Sequence, residues 1–289
     1  MKARLTLFAG VVAVSFAAVF IRLADAPPMV IATYRMVIAA VVLLPIASIK
    51  SFKGLGRLSK RDILLILLSS VFVALHFGLW ITSLSHTSIA SSVVLVTSHP
   101  AFVALLSYFL WAERLKKLTL GGIAVALIGL VVINYNGLSF NTESLFGNLL
   151  ALLAAFAMGT YLIIGGQLRE RIDLLSYLAL IYSGAAVILL AATLTIGYSL
   201  FGYSAETYLM MVLLALVPQL IGHSSLNLAV RLVPVTLVSV AILGEPVGAT
   251  LLGGIFLGEL PTVNEIIGGL LILGGIFIVL RRTQLLPQA

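Results

Sequence analysis

The feature that most constrains this chain is a series of apolar runs with few charges inside them. A hydrocarbon core about 30 Å thick needs about 20 apolar residues per helical span. The whole chain is 61% hydrophobic and only 9% charged, whereas roughly a quarter of an ordinary soluble domain is charged. No water-soluble surface can be built from this composition, so the sequence predicts an all-α integral membrane protein.

The runs and the polar segments between them predict ten transmembrane helices. The approximate bounds are 4–24, 28–49, 62–85, 88–111, 118–136, 146–167, 174–198, 207–230, 235–257 and 264–280. The runs lack the strict alternation of polar and apolar residues that barrel strands show, which excludes a β-barrel. The connections are short, so we expect no separate soluble domain.

The basic residues indicate the orientation. Fifteen of the 17 Lys and Arg residues fall at the termini or in loops on one face, whereas Arg22 alone falls on the other. The positive-inside rule then places both termini in the cytoplasm of a bacterial or archaeal cell with the spans in its inner membrane. The net charge of +7 is therefore topological, and no nucleic-acid partner is expected.

A cleavable signal peptide is an alternative for the first span, because Lys2 and Arg4 precede an apolar run that ends at Ala24-Asp25-Ala26. Its removal would leave nine spans and shorten one of the two repeats described next. We therefore expect the first helix to be retained.

An internal repeat is visible when the chain is aligned with itself at an offset of 146 residues. Without a gap, this register places Pro100 on Pro246, Glu113 on Glu259, Gly122 on Gly268 and Gly129 on Gly275. It predicts two five-helix repeats, residues 1–140 and 141–289, in one membrane domain. Because five is odd, the second repeat is inverted. Inverted repeats favour alternating access around a central site.

Three segments of the second half carry a family resemblance: Asn227 to Pro234, Gly244-Glu245-Pro246 and Leu257 to Leu260. They resemble the EamA-type transporters of the drug/metabolite transporter superfamily. The first half has a weaker copy, in which His99 stands where the second half has Glu245. The resemblance covers all ten spans and implies export or exchange of small metabolites. In length and in its polar and aromatic central residues, the chain is similar to the YddG-like amino-acid exporters.

Pro100 and Pro246 lie at the centres of the fourth and ninth spans, where proline removes a backbone donor and kinks a helix. The freed carbonyls of Val96 and Ile242 need partners inside protein or beside water. We therefore expect both kinks near the central cavity, as gating elements. A packing kink without substrate contact is the alternative.

Glu245 is the only carboxylate deep inside a span, where an ionisable group is costly and is typically functional. Proton coupling through this residue is a hypothesis, with His99 as its expected partner. A structural hydrogen bond between helices is the alternative role.

Two polar or aromatic sets recur at spacings of four residues and so share one helical face. They are Phe72, His76 and Trp80 in the third span and Gln219, His223 and Asn227 in the eighth. All members except Phe72, together with Ser98, His99, Tyr161 and Glu245, form the predicted cavity. Amide and imidazole groups with nearby aromatic rings suit a zwitterionic amino acid. Interhelical hydrogen bonds are the alternative for both stripe histidines.

Three other ionisable residues have simpler interpretations. Arg35 is expected to snorkel from the outer third of the second span to the interface, with a substrate-carboxylate anchor as the alternative. Glu113 and Glu259 match the family motif at the ends of their spans and are expected to be structural pins or gates.

Other classes of protein have little support. The chain has no cysteine, its histidines have no metal-ligand spacing with carboxylates, and no P-loop is present. We therefore expect no cofactor, no metal and no enzymatic activity. A passive uniporter or channel-like facilitator stays open as an alternative. The expected partners are the lipid bilayer, a small-molecule substrate and, as a coupling ion, the proton, without an obligatory protein partner.

Overall fold

The computed structural model describes residues 2–50, 52, 58–87, 92, 95–111, 116–133, 142–168, 171–258 and 262–282. All regular secondary structure within these ranges is helical, which confirms the predicted all-α class for this part of the chain. The α-helices are α1 (Lys2–Leu23), α2 (Pro28–Lys50), α3 (Lys60–Ser83), α4 (His99–Trp111), α5 (Lys117–Ile133), α6 (Thr142–Leu168), α7 (Leu174–Ile196), α8 (Ala205–Leu214), α9 (Ser224–Leu232), α10 (Val235–Ile242), α11 (Gly244–Leu257) and α12 (Val263–Arg282). A π-helical segment, Ala215–His223, joins α8 to α9.

Seven helical segments of the described chain are long and apolar enough to cross a membrane. They are Ala3–Leu23, Pro28–Lys50, Lys60–Ser83, Ser144–Leu168, Leu174–Ile196, Ala205–Leu232 and Val235–Phe256. Three shorter apolar helices, His99–Phe109, Lys117–Val132 and Ile266–Val279, fall on the predicted fourth, fifth and tenth spans. A multi-pass membrane protein follows from these segments, whereas the full count of ten stays a prediction.

The distribution of side chains is that of a protein surrounded by lipid. Large apolar side chains such as Phe8, Ile255 and Leu270 point outward and are more than half exposed. Polar side chains such as Gln219 and Asn227 are buried between the helices. Because lipid offers these polar groups no partners, they gather inside the protein.

Local side-chain bonds fix several helix starts. At α3, the backbone N–H of Asp62 donates to Ser59 Oγ and that of Ser59 donates to Asp62 Oδ2, which is a capping box. Arg171, just after α6, donates to Asp62 Oδ1 at 2.9 Å. Asp173 and Ser204 cap α7 and α8 through hydrogen bonds to backbone N–H groups.

Helix pairs pack closely where glycines face each other. Among the described helices, the α5–α12, α3–α6 and α2–α7 pairs pack together most extensively. A Cβ atom added at Gly122 would lie 3.0 Å from the carbonyl oxygen of Gly275, and one at Gly129 would lie 2.6 Å from that of Gly268. These two contacts exchange under the 146-residue offset, as do the bounds of α2 and α7. Small residues let the backbones of α5 and α12 approach each other at both points.

Candidate functional site

Two helices are interrupted beside the prolines of the predicted fourth and ninth spans. A turn at residues 97–98 precedes Pro100, the second residue of α4, and Leu243 separates α10 from α11, which contains Pro246. Each proline lacks the N–H that would continue the helical ladder. Val96 and Ile242, four residues before the prolines, both line one internal cavity.

This central cavity is narrow, with a volume of about 50 Å³. It is lined by Ala18, Arg35, His76, Trp80, Val96, Thr97, His99, Met158, His223, Ile242, Glu245, Pro246 and Ala249. These residues come from α1, α2, α3, α4, α6, the π segment and the α10–α11 break, so distant parts of the chain meet here. There is room for a few water molecules, and an amino acid enters only if the helices separate.

Arg35 lies at the cavity wall with no exposed surface, so the expectation that it snorkels to the interface is wrong. Its Nε donates a 2.7 Å hydrogen bond to Gln219 Oε1 of the π segment, and its guanidinium carbon lies 4.0 Å from the centre of the Phe77 ring. A position seven residues into α2 places its Cα about 10 Å along the helix axis. The side chain therefore stays inside the protein, where the Gln219 amide and the Phe77 ring stabilise the cation.

His76 and Trp80 both face the cavity, as their spacing on α3 predicts. Their rings stack with centroids 6.1 Å apart, and His76 Nδ1 lies 3.0 Å from the carbonyl oxygen of Ala154 on α6. Because a carbonyl oxygen only accepts, Nδ1 carries the hydrogen of this bond. Phe72, the third member of the stripe, packs edge-on against Phe156 instead of lining the cavity.

His99 and Glu245 line the same cavity from α4 and α11. His99 Nδ1 lies 3.4 Å from the carbonyl oxygen of Val96, and its Nε2 has no hydrogen-bond partner in the described part of the chain. The expected His99–Glu245 bond is absent among these residues. The charge that attracts Glu245 is Arg35, although no ion pair within 4.0 Å joins them in the described ranges.

Tyr161 and Asn227 lie behind the cavity wall and do not line the cavity, whereas His223 lines it. Tyr161 donates a 2.8 Å hydrogen bond to Asn227 Oδ1, and Asn227 Nδ2 donates one of the same length to the carbonyl oxygen of His223. The His223 ring packs edge-on against Phe77 at 5.3 Å. This chain of contacts fixes the end of the π segment beside the cavity.

Ser98 and Pro100 do not line the cavity, although the residues beside them, Thr97 and His99, do. Ser98 Oγ donates to the carbonyl oxygen of Leu95, within its own broken helix. Sequence reasoning missed Thr97 and Met158, because neither residue type distinguishes a cavity wall from ordinary packing. Glu113 and Glu259 lie outside the described residues.

The cavity combines cationic, acidic, imidazole and indole side chains. No group of three or more metal-ligating side chains is present in the ranges that the structure describes. The cavity is lined by Arg35, Trp80 and Glu245 together with His76, His99 and His223. A multi-pass helical fold with a polar cavity between broken helices defines a membrane transporter.

The comparisons agree with this class. A sequence model of the EamA-like transporter family matches residues 1–135 and 145–281, and the chain belongs to this family. Uncharacterized transporter YetK of Bacillus subtilis (strain 168) is 28% identical over 86% of this chain and 78% of its own length. The "Probable amino-acid metabolite efflux pump" of Salmonella typhimurium (strain LT2) is 25% identical over 72% and 70%.

A solved crystal structure shares the fold with a TM-score of 0.81 at 20% identity. The similarity covers 96% of this chain and 95% of that chain.

Proposed function

We propose that this chain is a secondary transporter that exports or exchanges amino acids, aromatic or otherwise neutral, by alternating access. The observation that carries the proposal is the central cavity, which the buried Arg35 and the Glu245 carboxylate both line beside two broken helices. A zwitterion carries the two complementary charges. The name of the Salmonella typhimurium relative supports the same substrate class.

The proposal includes ten spans in two inverted five-helix repeats with cytoplasmic termini in the cell membrane. It is supported by the two successive family matches and by the 146-residue offset between the bounds of α2 and α7. The Gly122–Gly275 and Gly129–Gly268 contacts, which exchange under that offset, support it as well.

Transport can be tested with purified protein in proteoliposomes, by counterflow of radiolabelled L-phenylalanine and L-leucine within a wider metabolite panel. We expect saturable uptake that an internal load of the same amino acid accelerates. A channel-like facilitator would show no such acceleration. A wild-type protein that neither moves nor binds amino acids would contradict the substrate class while leaving the family unchanged.

Orientation can be tested with single cysteines, because the natural chain has none. Ser199→Cys, in the exposed α7–α8 connection, should react with an impermeant maleimide added outside intact cells. Lys116→Cys, just before α5, should react only after the membrane is opened. The reverse labelling pattern would overturn the cytoplasmic placement of the termini.

A further inference from the structure

We propose that Arg35 binds the carboxylate of the transported substrate and that Gln219 is its positioning residue. This inference rests on the proposed function for the identity of the substrate, but its geometry stands on the central cavity alone. Neither the family match nor the names of the relatives assigns a residue to the carboxylate.

The burial of Arg35 needs an explanation that packing does not give. Its side chain has no exposed surface, and a charged group at this depth in a membrane protein is costly and typically functional. Gln219 is a neutral partner, so the hydrogen bond to it leaves the positive charge without a contacting counter-charge. Glu245 is the carboxylate that attracts Arg35, across the cavity and without an ion pair in the described ranges.

The geometry of the guanidinium shows which of its nitrogens lack a hydrogen-bond acceptor in the described part of the chain. Nε is occupied by Gln219 Oε1 at 2.7 Å, whereas Nη1 and Nη2 have no hydrogen-bond partner in the described part of the chain. These two nitrogens form one edge of a planar fork that matches the two oxygens of a carboxylate. Trp80 Nε1, another cavity-lining donor, also has no partner there.

Gln219 and Phe77 hold the fork in place. Gln219 is fully buried in the π segment, and the face of Phe77 supports the guanidinium at 4.0 Å. With Nε bonded and one face covered, the free edge is the part of Arg35 that remains for a ligand. π-helical turns commonly occur at functional sites, and here the segment contains both Gln219 and His223.

The other groups at the cavity complete a site for a zwitterion. The Nδ1 atom of His76 donates to the carbonyl oxygen of Ala154, which leaves its neutral ring an acceptor at Nε2. Glu245 adds a carboxylate. Donors from Arg35 and Trp80 therefore suit the carboxylate of an amino acid, and the acceptors suit its ammonium group.

The test compares three ligands of one shape: L-phenylalanine, phenethylamine, which lacks the carboxylate, and 3-phenylpropanoate, which lacks the ammonium group. Wild type, Arg35→Met, Arg35→Lys and Gln219→Leu are assayed by counterflow and by thermal stabilisation in detergent. Arg22→Met, which removes an exposed cation outside the cavity, is the matched control.

Loss of a charge-assisted bidentate contact should weaken L-phenylalanine and 3-phenylpropanoate about tenfold to a hundredfold in Arg35→Met. Inhibition by phenethylamine should change little, and Arg35→Lys should recover part of the loss because it restores charge without the fork. Arg22→Met should behave as wild type. Folding of each variant is checked by size-exclusion chromatography. If Arg35→Met does not fold, the single variants Arg35→Lys and Gln219→Leu are compared with wild type instead.

Unchanged discrimination between L-phenylalanine and phenethylamine in folded Arg35 variants would overturn the proposal. Stabilisation by chloride equal to that by 3-phenylpropanoate would also overturn it, in favour of a general anion site. If wild type moves no amino acid yet is stabilised by 3-phenylpropanoate through Arg35, the proposed function fails and this inference stands.

Discussion

Arg35 of α2 and Glu245 of α11 line one narrow cavity as opposite charges, without an ion pair between them in the described part of the chain. Each charge interacts electrostatically with the other, while the contacting partner of Arg35 is the neutral amide of Gln219. A ligand that carries both charges can therefore replace the long-range attraction with two direct contacts. That exchange gives a physical reason for a zwitterion to bind here once the helices have separated enough to admit it.

Replacement of Glu245 by glutamine tests proton coupling. The substitution keeps the shape of the side chain and removes its titration, so we expect the pH dependence of amino-acid flux to disappear. Counterflow from pH 5.5 to pH 8.5 in proteoliposomes measures this. Glu206→Gln, at the exposed start of α8, is the control and should keep the wild-type profile. A pH profile that persists in Glu245→Gln would exclude this residue as the coupling site.

Two substitutions of Gln219 should separate its structural and positioning roles. Gln219→Leu leaves Arg35 Nε without its 2.7 Å acceptor, and we expect a loss of about 1–3 kcal/mol in stability. Gln219→Glu supplies a charged acceptor at the same place, so the fold should survive while affinity for a substrate carboxylate falls.

Thermal unfolding in detergent and concentration-dependent uptake measure the two effects of the Gln219 substitutions. If Gln219→Glu kept its affinity for the substrate carboxylate, the assigned role of Arg35 would be contradicted, because a guanidinium that is paired with a glutamate should bind a second anion weakly.

Much of the fold could be predicted because the membrane imposes it. The predicted second and seventh spans, 28–49 and 174–198, agree with α2 and α7 to within two residues. The described breaks at residues 97–98 and at Leu243 adjoin Pro100 and Pro246, since proline disrupts a helix whatever its surroundings. Hydropathy did not predict the π segment, because its extra residue per turn leaves the apolar composition unchanged.

Several residues that line the cavity could be predicted from the sequence, but the contacts between their side chains could not. His76, Trp80 and Glu245 were identified because polar or aromatic groups stand out at mid-span. The burial of Arg35 could not be predicted, because a single span cannot reveal that Gln219, 184 residues away, accepts its hydrogen bond. His99 was assigned to Glu245 from repeat symmetry, which relates positions but does not place side chains in contact.

The capping box at α3 predicts unequal effects for two residues that form one ion pair. Asp62 bonds Ser59 and also accepts from Arg171 at 2.9 Å, whereas the Arg171 side chain is about half exposed. Asp62→Ala removes the cap and the pair, but Arg171→Ala removes only a screened surface pair. We expect the larger fall in melting temperature for Asp62→Ala and little change for Arg171→Ala. Equal shifts would show that the cap contributes nothing.

The α5–α12 interface offers the most direct test of helix packing, because adjacent glycines differ in their surroundings. A Cβ at Gly275 would lie 2.5 Å from the carbonyl oxygen of Gly122, whereas one at Gly274 meets nothing within 4 Å. Gly275→Ala should therefore cost about 1–3 kcal/mol through overpacking, and Gly274→Ala should leave the melting temperature unchanged or slightly raised. Fluorescence-detected thermal unfolding compares the two.

The 146-residue offset extends this prediction to a second pair. It maps Gly275 onto Gly129, where a Cβ would lie 2.6 Å from the carbonyl oxygen of Gly268. Gly129→Ala should therefore destabilise the protein as Gly275→Ala does, while Gly121→Ala, with nothing within 4 Å, should match Gly274→Ala. Destabilisation at only one of the two crossing points would contradict equivalent packing of the halves, because related backbones in contact at both points must pay the same steric penalty.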